Sequence, residues 1–320
     1  MTTLLARLSQ AAEDAPDDAG LYLINRKEKE VFYSWKSIEL RAARAAGSLK
    51  AVGIQSGDRV GIVLPTCIEF FDAFFGAQFL GAIPVPLYPP VRLGKLEHYF
   101  ERTATMLSSI DTAVLITDTS IRRILGQLIQ KYTPPKGILL ASELDGVEHR
   151  EASTPDQIAM GQFSSGTTQA PKAVALTHRQ ILANVDAILE HVPMNVETNY
   201  SPGGCSWLPL YHDMGLIGCI FPALSVPARM ALIPPEVFLS KPAIWLRSIS
   251  KYRAVVSPAP NFAYALCTER ISDAQLKGVD LSCWHLALNG AEPVAPKHLK
   301  YFQERFEPFG LPQTAISPVY

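Results

Sequence analysis

Short apolar segments that alternate with helix-like segments constrain the fold of this chain more than any other feature. The strand-like segment VGIVL at residues 60–64 is followed by a phenylalanine-rich helix near 68–80 and a second strand-like segment, IPVPL. This order is typical of a βαβ unit. It continues with predicted helices near 95–109 and 120–131 and predicted strands at 113–117 and 137–141. The pattern predicts an α/β fold of stacked mixed sheets flanked by helices.

The alternation resumes after a polar linker at about 142–156. A strand is predicted over 157–163, a glycine loop follows, and another strand is predicted over 173–177. Helices are predicted over 178–192 and near 296–307, and AVVSPAP and HLALNG are predicted as strands. At about 150 residues per domain, a chain of 320 residues corresponds to two domains or one large one.

The net charge and the cysteine spacing limit the classes of function that this chain can have. With 29 basic and 30 acidic residues, the net charge of −1 gives no electrostatic argument for nucleic acid or for an anionic membrane surface. The cysteines include no CxxC pair, which predicts buried free thiols in a reducing compartment. They are Cys67, Cys205, Cys219, Cys267 and Cys283. The N-terminus turns acidic too soon for a signal peptide. The apolar run GLIGCIFPALSVPA is too short to span a bilayer. We expect a soluble, cytoplasmic protein without stable membrane insertion.

The segment GQFSSGTTQAPKAV, residues 161–174, has the composition of a phosphate-binding loop. Gly161 and Gly166 have the spacing of a Walker loop, but Thr167 stands where that pattern requires lysine, and a strand rather than a helix is predicted next. Gly166 permits a positive φ, so that successive N–H groups can face one anion, and Lys172 adds a positive charge. The candidate hydroxyl donors are Ser164, Ser165, Thr167 and Thr168. A Ser/Thr-rich hairpin turn explains the same residues, and the loop alone does not decide between the two.

Four motifs in sequence resemble the adenylate-forming (AMP-binding) superfamily, and among its members they resemble the fatty acyl-AMP ligases most. They are FSSGTTQAPKAVALTH, WLPLYHDMGLIG, VSPAPNFAYALC and LNGAEPV, and PVPLYPP is similar to the same subgroup. The resemblance implies that residues 1–320 are an incomplete large N-terminal domain. One α/β subdomain is expected at roughly 60–195 and the second from 1–57 with 200–320, without the small C-terminal domain.

In the reaction that this resemblance implies, a fatty acid carboxylate attacks the α-phosphorus of ATP and pyrophosphate leaves. Ser164–Thr168 and Lys172 are then expected at the β- and γ-phosphates. Thr167 is expected near a magnesium ion whose main ligand lies downstream of Tyr320, with no metal ligand set in this chain. The complete protein is expected to pass the acyl group to an acyl carrier protein, or alternatively to coenzyme A.

His212 resembles the family histidine that lies between the acyl carboxylate and the phosphate. His212 and Lys172 are the two predicted catalytic residues. A histidine there can orient the nucleophile and change its charge near neutral pH. Two other interpretations remain for His212-Asp213: a helix start capped by Asp213, or a metal-binding pair, which no other His/Asp cluster in the sequence supports.

Two further motifs imply the walls of a binding site. The turn LNGAEPV is expected to line the adenine with Asn289, Gly290, Ala291, Glu292 and Pro293, although Glu292 also fits an acid at a helix start. Asn261, Phe262 and Tyr264 are expected to line the acyl pocket as a mostly apolar face with one polar edge. An aromatic helix face packed in the core is the alternative for these three.

The sequence departs from the family pattern at two points. Ala173 follows Lys172 where the family has glycine, and a positive φ there would cost an alanine about 1 kcal/mol or more. Tyr320 opens the family's Tyr-Gly-x-x-Glu stretch, but the glutamate is absent. A truncated, non-catalytic acyl- or nucleotide-binding remnant is therefore a third hypothesis, and we expect this chain by itself to bind without efficient turnover.

Overall fold

The computed structural model describes residues 2–90, 96–164, 171–192 and 203–319. Its strands are β1 (Gly20–Ile24), β2 (Glu30–Ser34), β3 (Arg59–Val63), β4 (Ile83–Pro86), β5 (Thr112–Thr117), β6 (Ile138–Leu140), β7 (Ile158–Phe163), β8 (Ala173–Thr177), β9 (Gly203–Ser206), β10 (Arg229–Leu232), β11 (Val256–Ala259), β12 (Leu286–Asn289) and β13 (Ile316–Pro318). Its α-helices are α1 (Leu4–Asp14), α2 (Trp35–Ala51), α3 (Ile68–Phe79), α4 (Leu96–Ser109), α5 (Thr119–Ile124), α6 (Gly126–Lys131), α7 (His178–Leu189), α8 (Asp213–Gly215), α9 (Phe221–Ser225), α10 (Pro235–Ser240), α11 (Ala243–Tyr252), α12 (Asn261–Arg270) and α13 (Pro296–Phe306).

The chain divides into two compact units. Unit 1 comprises Met1–Glu13 and Lys36–Asn184, and unit 2 comprises Asp14–Trp35 and Val185–Tyr320. Residues 1–57 were predicted to group with 200–320, whereas residues 1–13 and 36–57 cluster with unit 1. The assignment of the whole chain to one large N-terminal domain stays a prediction.

Unit 1 is built on a parallel four-stranded sheet in the order β4-β3-β5-β6. All residues of helix α3 except Glu69 are buried, including its phenylalanines, as expected for a helix whose apolar residues are not confined to one face. The helix predicted near 120–131 is two short helices, α5 and α6, which are separated by Leu125. The Asp118 carboxylate caps α5 by accepting the Ile121 N–H at 2.7 Å. Strands β7 and β8 pair as a separate antiparallel hairpin.

Unit 2 is built on a seven-stranded sheet in the order β13-β12-β11-β9-β10-β1-β2. All neighbouring strands are parallel except β1 and β2, which form an antiparallel hairpin. The predicted α/β class with mixed sheets and flanking helices is confirmed.

Aromatic side chains fill the core of unit 2. The Trp207 and Phe238 rings stack at 4.0 Å, and Trp245 meets Trp207, Phe238, Tyr264 and Trp284 edge-on.

Four of the five cysteines are buried, Cys67 is partly buried, and all five are free thiols. Across the described parts of both units, no helix combines the length and the apolar character that crossing a bilayer requires.

Candidate active site

The glycine loop lies in unit 1, at the closed end of the β7–β8 hairpin. Phe163 pairs with Ala173, and just beyond this pair the Ser164 N–H donates to the Lys172 carbonyl at 2.9 Å. The Lys172 N–H lies 3.3 Å from Ser164 Oγ, and the Lys172 side chain is exposed. Strand, loop, strand is the predicted order, and it differs from the strand-to-helix turn of a Walker loop. Of the other predicted phosphate ligands, Ser165, Gly166, Thr167 and Thr168 lie outside the described residues.

Ala173, which replaces the expected glycine, is the first residue of β8. It is not among the residues with positive φ. The strain that a positive φ would impose on an alanine is therefore absent at this position.

A cavity of about 250 Å³ lies in unit 2, at the carboxyl ends of its parallel strands. Its lining comes from the last residues of β11 and β12 and from the segments that follow β9, β11, β12 and β13. The lining residues are Trp207, Leu208, Pro209, His212, Met214, Pro258, Ala259, Pro260, Phe262, Leu288, Gly290, Ala291 and Val319. The walls are almost entirely apolar, and His212 is the one titratable side chain in this lining.

The strand order explains why a crevice forms at this place. From β9 the chain passes to β10 on one side, whereas from β11 it passes to β12 on the other, and β9 and β11 are neighbours in the sheet. The two connections therefore diverge at the carboxyl edge. In open α/β sheets, ligands bind in the crevice at such a topological switch point.

His212 occupies the N-cap position of the short helix α8. Its Nδ1 lies 2.6 Å from Asp213 Oδ1 and 3.4 Å from the Met214 nitrogen. Nδ1 cannot both donate to Asp213 and accept from Met214. We assign Nδ1 as the donor, because its contact with Asp213 is shorter and the Met214 N–H already donates to Asp213 Oδ1 at 2.6 Å. Asp213 is thus part of the helix start, and it also holds the histidine ring.

The hydrogen bond that His212 donates to Asp213 raises the pKa of His212, against an opposing effect of partial burial. The same bond lowers the pKa of Asp213. The imidazolium therefore persists to a higher pH than for an ordinary histidine. With Nδ1 engaged by Asp213, Nε2 is the ring atom that remains for a ligand.

The last residue of β12 and the turn that follows it contain the five predicted adenine residues. Gly290 and Ala291 line the cavity, and Asn289 is fully buried. A side chain at Gly290 would meet the Val319 carbonyl oxygen at 2.4 Å, so the close approach of the two segments requires glycine. Ala291 has φ +65°, a left-handed conformation that costs a residue with a Cβ about 1–2 kcal/mol. Such an outlier persists only where the surrounding structure enforces it.

Glu292 and Pro293 are placed differently from Gly290 and Ala291. Neither belongs to the lining of the cavity. Glu292 Oε1 accepts the Phe262 N–H at 2.7 Å, so this carboxylate caps helix α12. Glu292 therefore does act as an acid at the start of a helix, as the alternative interpretation proposed. The helix is α12, which precedes Glu292 in the chain, and not α13, which follows the turn.

The three predicted acyl-pocket residues separate in the structure. Phe262 is 43% exposed and lines the cavity, with its ring 5.9 Å from that of Trp207. Asn261 is 6% exposed and Tyr264 is fully buried, and neither lines the cavity. The Tyr264 hydroxyl donates to the Leu288 carbonyl at 3.0 Å. Tyr264 thus packs in the core, which was the alternative interpretation.

Several lining residues were not predicted, chiefly Trp207, Met214, Pro258 and Val319. Trp207 and Met214 lie within the quoted motif WLPLYHDMGLIG, so their position next to His212 was the available signal. Val319 carries no local signal, because only its pairing with the end of β12 brings it to the cavity. The Val319 N–H donates to the Asn289 carbonyl at 2.8 Å.

Over the described residues, no three His, Cys, Asp or Glu side chains group closely enough to hold an ion. The metal-pair interpretation of His212-Asp213 therefore gains no third ligand among the described residues.

The chain matches the family model described as AMP-binding enzyme over residues 8–320. It is 32% identical over 276 residues to a putative acyl-CoA synthetase from Caulobacter vibrioides, covering 86% of this chain and 48% of that protein. It is 29% identical over 361 residues to a medium-chain-fatty-acid–[acyl-carrier-protein] ligase from Teredinibacter turnerae, covering 99% of this chain and 55% of that protein.

The fold is also similar to that of a solved structure, the fatty acyl-adenylate ligase from L. pneumophila in complex with acyl adenylate and pyrophosphate. The TM-score is 0.87 at 28% identity, covering 98% of this chain and 54% of that one. This chain spans about half the length of the curated relatives that it matches.

Proposed function

This chain belongs to the AMP-binding enzyme family, and on that premise we propose that it carries the acyl-adenylate site of a fatty acyl-AMP ligase. The complete protein would join a fatty acid and ATP to give acyl-AMP and pyrophosphate, and would then pass the acyl group to an acyl carrier protein. The similarity to a medium-chain-fatty-acid–[acyl-carrier-protein] ligase supports the substrate class.

The observation that carries the proposal is the composition of the cavity wall. An apolar cavity with a single titratable side chain suits an aliphatic chain that ends in a carboxylate. Phe262 and Trp207 supply apolar surface, His212 supplies the polar end, and Gly290 and Ala291 bring backbone close enough to face a flat base. We assign the adenine to Gly290 and Ala291 and the acyl chain to the wall beside Phe262.

The chemistry requires two anions to meet. An oxygen of the carboxylate attacks the α-phosphorus, a new P–O bond forms, and the bond to the β-phosphate oxygen breaks, with the electron pair leaving on pyrophosphate. The barrier is largely one of bringing like charges together in line. An imidazolium at His212, favoured by Asp213, offsets this repulsion and can donate from Nε2 to a carboxylate or phosphate oxygen.

The phosphate end of ATP is assigned to the β7–β8 loop. Ser164 and the exposed Lys172 are proposed to contact the departing phosphates, together with Ser165–Thr168. A lysine there stabilises negative charge on the leaving group where it develops. ATP is the substrate expected for this family, and magnesium generally accompanies it. No step is assigned to a magnesium ligand of this chain.

Coenzyme A is the alternative acceptor. The similarity to a putative acyl-CoA synthetase favours it, and the similarity to an acyl-carrier-protein ligase favours the first proposal. Both acceptors follow the same adenylation step, so the proposed site serves either.

Calorimetric titration of this chain with a non-hydrolysable long-chain acyl-adenylate mimic tests the proposal. We expect saturable binding by the wild-type chain and binding at least about tenfold weaker by His212→Ala, since a charge-assisted hydrogen bond contributes about 1.5–3 kcal/mol. His191→Ala is the matched control, because His191 is an exposed histidine of the same unit outside the cavity lining.

Lys172→Ala separates the two ends of the nucleotide. Because Lys172 is assigned to the departing phosphates, its loss should weaken ATP more than the mimic, which lacks those phosphates. A folded wild-type chain that binds neither ligand, or equal affinity of the His212 and His191 variants for the mimic, contradicts the proposal.

A further inference from the structure

The loop at residues 290–295, between β12 and α13, is tied to the first turn of helix α12 by side-chain hydrogen bonds. Asn261, the first residue of α12, contacts the loop at both ends. Its Oδ1 accepts the Ala295 N–H at 3.0 Å and lies 3.3 Å from Asn289 Nδ2. One buried amide thus joins the last residue of β12 to the last residue of the loop.

The orientation of this amide is set from outside the loop. Asn261 Nδ2 lies 2.9 Å from His298 Nδ1, in the first turn of α13. An amide nitrogen can only donate, so His298 Nδ1 is the acceptor and the amide oxygen must face the loop. Two helices and a strand end therefore converge on Asn261, which explains why this polar residue is buried among apolar walls.

Glu292 makes the return contact from the middle of the loop. Helix α12 has Pro260 at its N-cap position, and proline supplies no side-chain cap. The first N–H groups of a helix lack intrahelical partners, and a carboxylate at that end is favourable. Glu292 supplies it through the Phe262 N–H. The strained residue Ala291 lies between the Asn289 and Glu292 contacts.

We infer that Asn261 and Glu292 are positioning residues, which hold the loop 290–295 so that Gly290 and Ala291 face the cavity at a fixed place relative to Phe262. The inference rests on the proposed function for the meaning of that cavity. Helix α12 itself holds the backbone of Phe262 on the acyl side, whereas the two contacts fix the backbone of Gly290 and Ala291 on the adenine side. The loop is thus coupled to the wall that it faces.

Hydrogen exchange in the ligand-free chain tests the loop directly, because two amides report the two contacts. Asn261→Ala should speed exchange at the Ala295 amide, and Glu292→Ala should speed exchange at the Phe262 amide, each by about tenfold or more. The amides of β11 should keep their wild-type rates and so show that the unit is folded. Glu269→Ala, an exposed glutamate on the same helix, is the matched control and should change neither amide.

Affinity for AMP and for a long-chain fatty acid, measured separately, distinguishes positioning from general stability. We expect both alanine variants to weaken AMP by about tenfold and the fatty acid by less than about threefold. Glu292→Gln keeps an oxygen acceptor for the Phe262 N–H and should recover AMP binding to within about threefold of wild type.

Wild-type exchange at both amides in the variants would overturn the inference. So would faster exchange with unchanged AMP affinity, or an equal loss of AMP and fatty acid binding. If the wild-type chain binds no AMP while the variants exchange faster, the result counts against the proposed function and supports the hold of Asn261 and Glu292 on the loop.

Discussion

Acid should destabilise unit 1 through His178, the first residue of α7. Its side chain is only 2% exposed, and its Nδ1 accepts the N–H of Leu4, the first residue of α1, at 3.2 Å. Burial lowers the pKa of His178 from 6.5 to about 4. Protonation at Nδ1 would place a charge in the core and would remove the acceptor for Leu4.

The difference in the pKa of His178 between the folded and unfolded chain sets how much the stability changes with pH, and in which direction. Between pH 6.5 and 4 the unfolded chain binds a proton at this histidine and the folded chain does not, so stability falls as the pH falls. A pKa lowered from 6.5 to about 4 corresponds to a loss of about 3 kcal/mol, complete near pH 4. The contribution is fully present above pH 6.5.

Urea denaturation of the wild-type chain and of His178→Gln, compared from about pH 4 to 7, measures the contribution of His178 to the free energy of unfolding. Circular dichroism is the suitable probe, since all four tryptophans lie in unit 2. Asp72 also lies in unit 1 and has a pKa raised to about 6 by burial, so it changes stability in the opposite direction over this range. Because both proteins contain Asp72, its contribution cancels when the unfolding free energy of His178→Gln is subtracted from that of the wild type. We expect this difference to change by about 3 kcal/mol, and a change below about 0.5 kcal/mol would refute the reasoning.

Three further results are expected. Arg41→Ala should destabilise the chain by about 1–3 kcal/mol at pH 7 in urea denaturation, because buried Asp72 loses a bidentate partner at 2.9 and 2.5 Å, and a change below about 0.5 kcal/mol would contradict this. Asp213→Asn should lower the pKa of His212, so that binding of the adenylate mimic falls off at a lower pH than in wild type, and superimposable pH profiles would contradict the assigned hydrogen bond. Gly290→Ala should reduce mimic affinity by at least about tenfold in calorimetry, because its Cβ would lie 2.4 Å from a backbone carbonyl, and wild-type affinity would show that the turn can yield.

The sequence predicted the elements whose signals are local. The strands and helices between residues 60 and 141 appear in the expected order, because apolar runs and helical periodicity mark them without reference to the rest of the chain. Strand β9 was not predicted. Its four residues, GGCS, have little strand propensity, and pairing with β10 and β11 stabilises it instead.

The same distinction applies to the candidate site. His212, Phe262, Gly290 and Ala291 were taken from motifs, and the structure brings these four to one cavity. Their roles stay predictions. The position of Asn261 could not be foreseen, because its partners lie 28 to 37 residues away in the chain. A motif names a residue, whereas only the fold decides whether its side chain meets a ligand or a neighbouring loop.

The central claim is that unit 2 holds the acyl and adenine parts of an adenylate in the cavity after β9, β11 and β12. A crystal structure of this chain with the bound acyl-adenylate mimic tests it most directly. The account predicts the base against Gly290 and Ala291, the acyl chain beside Phe262, and His212 Nε2 within hydrogen-bond distance of the junction between them. An empty cavity in a crystal whose ligand is bound elsewhere would contradict it.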